Sequence, residues 1–113
     1  MPPIDTLQIE GMIYLVRGQK VLLDSDLASL YEVETKTFNR AVRRHAERFP
    51  SDFMFELTPE EYDSLRYQIG TLKNEGRGQH RKYLPLVFTE QGVAMLSGVL
   101  NSERAVNVNI AVI

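Results

Sequence analysis

Cysteine and tryptophan are both missing from this chain of 113 residues. Without cysteine there is no disulfide scaffold, no thiolate zinc site and no thiol nucleophile. Histidine is scarce: His45 and His80 lie far apart, with no His-x-x-x-His spacing, so no metal site and no cofactor is expected. Long apolar runs are absent too, so no segment reads as membrane-spanning. The N-terminal stretch MPPIDTLQIEG is acidic and lacks the basic-then-apolar pattern of a secretory leader. A cytoplasmic protein is the default expectation.

What is present is an ordinary globular composition, 43% hydrophobic and 25% charged, in a length that suits one domain with a modest core. The net charge of -2 does not favour a polyanion partner, but its distribution does. Residues 35–50 hold five basic side chains against Glu47 alone, and residues 70–83 hold four against Glu75 alone. The flanking blocks 1–34 and 51–69 are each -4. Positive charge is thus concentrated in two short stretches of a weakly acidic chain.

The pattern predicts an α+β domain: an N-terminal β-hairpin, short additional strands and a helix-turn-helix-like helical core. Residues 1–11 form an irregular lead-in, and residues 12–113 form the domain. Met12–Arg17 and Lys20–Leu23 read as hairpin strands about Gly18-Gln19, whose leading glycine favours a type II′ turn. Asp24 and Ser25 can start a helix running to Tyr31, and Thr35 can cap a second one reaching Arg48. Phe53–Leu57 reads as a strand. Thr58-Pro59-Glu60-Glu61 combines a cap, a proline at the first helical position and a capping box. Tyr62, Leu65 and Ile69 face inward from the helix that follows. Tyr83–Phe88 reads as a strand, placed at a sheet edge by Pro85, and Thr89 caps a further helix. Val106–Ile113 fits either a strand or a helix, and its uncapped end suggests a longer chain with a further C-terminal region.

The sharpest feature is the helix pair with its three-residue turn. In a helix-turn-helix the second helix lies in the major groove of duplex DNA. Leu27, Ala28, Tyr31, Val33, Phe38 and Val42 would form its interior. The outward side would then show Lys36, Thr37, Asn39, Arg40, Arg43 and Arg44, with Arg48 beyond. Arginine can bind guanine O6 and N7 bidentately, and asparagine can do the same at adenine N6 and N7. The competing reading is a surface helix with a solvated basic face. Glu32 counts against the motif, because such turns often place glycine there.

The second feature is the glycine-rich loop KNEGRGQHRK, which carries Lys73, Arg77, Arg81 and Lys82. Such a loop can follow a phosphate backbone or enter a minor groove. It is no phosphate-binding Walker loop, since no Gly-Lys-Ser/Thr follows its glycines. Catalytic constellations are weak. Capping explains Glu60 and Glu61, and no serine stands in a nucleophile elbow. No enzymatic activity and no small-molecule substrate are expected.

The segments RGQKVLLD, DLASLYEVETKTFNRAVRRH, FPSDFMFELT and YLPLVFTEQGVAMLS together resemble the phage "ORF-six" N-terminal domain family, a relative of the KilA-N and Bro-N domains. The likeness runs from about Met12 to the C-terminus. It implies a KilA-N-like domain that binds double-stranded DNA, within a phage or prophage antirepressor-like regulatory protein of a bacterial or phage-infected cytoplasm. It also implies a glycine in relatives where this chain has Glu32. It supplies no catalytic residues. The alternative is a protein-interaction or dimerisation module, a homodimer included, motivated by the apolar face of Val106–Ile113.

Overall fold

A computed structural model of the chain describes residues 9–69 and 84–100. The expectations for the loop at 70–83 and for Val106–Ile113 lie outside the described residues. Strands β1 (Tyr14–Val16) and β2 (Gln19–Leu23) lead into helices α1 (Asp24–Tyr31) and α2 (Thr35–Arg44), and then a 3-10 turn (Ala46–Arg48). Strand β3 (Met54–Glu56), helix α3 (Pro59–Ile69), strand β4 (Leu86–Phe88) and helix α4 (Glu90–Leu100) follow. The architecture is α+β, as the sequence pattern predicts.

The four strands form one antiparallel sheet in the order β1-β2-β4-β3. The inner strands β2 and β4 are apolar on both faces. Leu22, Leu86 and Phe88 join a core shared with α1, α2 and α4. Val21, Leu23 and Val87 join a second core with Phe55, Leu57 and Leu65, the last from α3. The period-two alternation of a strand divides these residues between the faces. Coverage on both sides explains why VLL and LVF read as unbroken apolar runs.

Several local expectations are corrected. Val16 pairs with Gln19, so the hairpin loop is Arg17-Gly18, one residue earlier than expected. Both loop residues have positive φ, 55° and 74°, which makes the turn type I′ rather than II′. This register puts Tyr14, Val16, Val21 and Leu23 in one core, and a one-residue slip would turn the β1 residues away from it. The strained Arg17 is held from outside the turn. Its guanidinium makes a bidentate pair with Glu61, Nε to Oε2 at 2.6 Å and Nη2 to Oε1 at 3.0 Å, and lies 4.1 Å over the Phe55 ring.

Strand β4 is interior, not at an edge. Pro85 precedes the strand, so the ladder does not need its missing N–H, and its carbonyl accepts from the Leu57 amide. Helix α2 begins one residue after its N-cap Glu34, with no side-chain cap from Thr35, and ends at Arg44 rather than Arg48. Other signals are read correctly. The Thr58–Glu61 capping box is closed in both directions, and Thr89 accepts from the Gly92 amide at the start of α4.

Gly92 and Thr89 dock α4 against the loop before β3. The Thr89 hydroxyl is 2.8 Å from the Asp52 carbonyl, and its amide donates to the Phe53 carbonyl at 3.0 Å. A Cβ at position 92 would collide with that same Phe53 carbonyl oxygen. Only glycine allows this approach of helix to backbone.

Candidate nucleic-acid interface

The turn between α1 and α2 comprises Glu32, Val33 and Glu34. Glu32 adopts the left-handed conformation (φ 63°, ψ 42°). The Val33 amide donates to the Ala28 carbonyl at 3.0 Å and the Glu32 amide to Ser29 at 3.1 Å. These two bonds form a Schellman closure of α1. The turn therefore has the geometry that glycine favours, and Glu32 fills it at a conformational cost. The objection raised by Glu32 is one of residue type, not of backbone path.

The inner side of α2 is set by Phe38 and Val42, both fully buried. Phe38 stacks on Tyr31 of α1 at 5.7 Å and meets Phe88 of β4 edge-on at 5.5 Å. Burial pushes the Tyr31 hydroxyl well above its usual range, so this ring stays neutral. A polar tie adds to the aromatic one. The buried Asp24 carboxylate accepts from the Ser25 amide at 2.7 Å, the Leu86 amide at 3.2 Å and Asn39 Nδ2 at 3.0 Å. One carboxylate thus joins the start of α1, the start of β4 and the middle of α2.

With the roll of α2 set this way, Lys36, Thr37, Arg40, Arg43 and Arg44 are exposed, and Arg48 is exposed on the following turn. Among the described residues the ion pairs are Arg17–Glu61 and Arg66–Asp63, and none involves these five cations. Their arrangement does not serve the helix. Lys36–Arg40 and Arg40–Arg44 are like-charge pairs at i,i+4, each unfavourable by about 0.2–0.5 kcal/mol. Only Arg43 and Arg44, in the last turn, gain from the helix dipole. A ridge that costs the fold, with Glu47 as the lone carboxylate of its stretch, suits a polyanionic partner. Acidic α3, with Glu60 and Asp63 exposed, packs on the opposite face of the sheet.

Two placements differ from the expectation. Asn39 is half-buried and spends its amide on Asp24, so it positions α2 instead of joining the exposed row. Val33, expected in the interior, is 41% exposed at the turn. Apolarity at this spacing signals core, and only the path of the Schellman closure turns Val33 outward. His45, the residue that ends α2, is half-buried. Lys73, Arg77, Arg81 and Lys82 lie outside the described residues. Among the described residues, no helix is long and apolar enough to cross a membrane.

A family model described as the ORF6N domain matches residues 11–99 of the chain. No curated protein and no solved structure matches it.

Proposed function

The chain belongs to the ORF6N domain family, and on that premise we propose that it is the DNA-binding module of a phage-type regulatory, antirepressor-like protein. Duplex DNA is the partner, and α2 is the element that enters the major groove. The observation that carries this reading is the exposed row Lys36, Arg40, Arg43, Arg44 and Arg48, unpaired among the described residues and backed by a rigid aromatic core. The loop cations Lys73, Arg77, Arg81 and Lys82 are proposed as further phosphate-contacting residues from their place in the sequence. The role is binding, not catalysis, and its setting is the cytoplasm of a bacterial or phage-infected cell.

Binding to duplexes selected from a random pool tests it. With five or six phosphates contacted, log K falls against log salt with a slope of about -5. Replacing Arg40, Arg43 and Arg44 together by alanine removes most of the affinity and leaves the fold intact, since all three are exposed. Unchanged duplex binding by the folded triple variant refutes the assignment of α2.

A dimerisation module is the second reading. Leu15, 61% exposed on the edge strand β1, is the observation that favours it. Sedimentation separates the two: a monomer that binds DNA unaided refutes dimerisation as the primary role.

A further inference from the structure

We infer that two copies of this chain pair along the open edge of β1 when they occupy one duplex, about a two-fold axis that sets Leu15 against Leu15 of the second copy. This rests on the DNA-binding reading above and adds to it a partner and a symmetry: the target is an inverted repeat.

The register of the hairpin defines the edge. Strand β1 stands at the end of the sheet, and Val16 faces Gln19 across a two-residue loop. Such a loop is closed by a hydrogen-bonded pair, and the two kinds of pair alternate along an antiparallel ladder. Leu15–Lys20 is therefore the non-hydrogen-bonded pair, and the Leu15 amide and carbonyl point away from β2. Native sheets block such edges with charge or proline. The opposite edge strand, β3, carries exposed Glu56. Strand β1 reads Tyr-Leu-Val, with Leu15 61% exposed.

This edge is complementary to itself. Two antiparallel copies centred on Leu15 exchange the open amides and carbonyls and lay leucine against leucine. They also put Tyr14 opposite Val16, with no charge in the paired stretch. The axis stands perpendicular to the sheet, so both copies present the same face on the same side. Helix α2 packs on one face through Phe38 against Phe88. The two basic rows therefore lie on one side, where a single duplex reaches both. A strand of 3 residues from each copy falls far short of the roughly 1,600 Å² of a stable interface. Pairing thus needs the duplex, which raises the local concentration of the second copy.

The test uses the site recovered by selection, built as a single site, as a direct repeat and as inverted repeats of varied spacing. Wild type fills one inverted repeat cooperatively, its second copy binding about tenfold tighter than on the single site, and fills the direct repeat independently. Leu15→Lys sets two ammonium groups against each other and abolishes the cooperativity. Cooperativity is a ratio, so any change in single-site affinity cancels. Leu15→Cys supplies the sole cysteine of the chain. Facing Cα atoms of a hydrogen-bonded pair are about 5.5 Å apart, within the range of about 4.4–6.8 Å that a disulfide spans. Mild oxidation therefore links two copies on the inverted repeat and not on the single site. Leu15 is exposed, so both variants fold, which their melting temperatures verify. Independent filling at every spacing, as an edge kept for another protein's strand would give, overturns the inference. So does cooperativity that survives Leu15→Lys, or failure of Leu15→Cys to link on the inverted repeat. In each case binding to the single site leaves the DNA-binding reading standing. If wild type binds no duplex at all, both fall together.

Discussion

Asn39 donates its side-chain amide to Asp24 across 3.0 Å, and this bond fixes the roll of α2 about its axis. The same carboxylate oxygen accepts from the Leu86 amide, so α2 is referenced directly to β4 of the central sheet. Asp24→Ala strands the buried Leu86 amide and takes the acceptor from the half-buried Ser25 amide and Asn39 side chain. It should lower stability by about 2–4 kcal/mol, measured by denaturant unfolding. Asn39→Ala should cost about 1–2 kcal/mol and weaken binding to all duplexes alike. Loss of preference for one adenine in that variant would instead identify Asn39 as a groove-reading residue.

Gly92→Ala brings a methyl group into the Phe53 carbonyl, a backbone atom that cannot swing aside. Helix α4 must move off the loop before β3 or the loop must yield. A loss of about 3 kcal/mol or more is expected, at the severe end for a single added carbon. Gly98→Ala is the control, because nothing lies near its added carbon. The difference in melting temperature between the two variants checks the packing argument.

Glu32→Gly relieves the left-handed strain at the end of α1, where φ is 63°. A gain of about 0.5–1 kcal/mol is expected, reduced by the greater freedom of glycine in the unfolded chain. Thermal unfolding provides the measurement. A destabilised glycine variant would mean that the Glu32 side chain contributes more than its backbone costs.

Arg17 and Glu61 make folding sensitive to acid. Hydrogen bonds from Arg17 first, and from the Thr58 amide second, lower the Glu61 carboxyl from 4.5 to about 2. The folded protein therefore holds that proton more weakly than the unfolded chain does. The stabilisation is complete above the unfolded value and is lost as pH falls from 4.5 toward 2. Glu61→Gln keeps the capping box and removes the titration, so its stability should vary less across that window. Parallel pH profiles for the two proteins would show that another carboxylate controls acid unfolding.

What the sequence determined by itself was local. Thr58, Glu61 and Thr89 announced helix starts because capping chemistry acts within three residues. The basic block at 35–50 and the apolar spacing of Phe38 and Val42 located a helix with one wet and one dry side. Tertiary structure decided the rest, since it turned on distant partners. The sequence pattern could not show that Asn39 reaches Asp24 or that Pro85 precedes an interior strand. Nor could it show that Val33 turns outward or that Arg17 tolerates a positive φ beside Glu61. Period and propensity describe a residue against its near neighbours. Which outward positions stay open to a ligand depends on contacts that only the packed chain brings together.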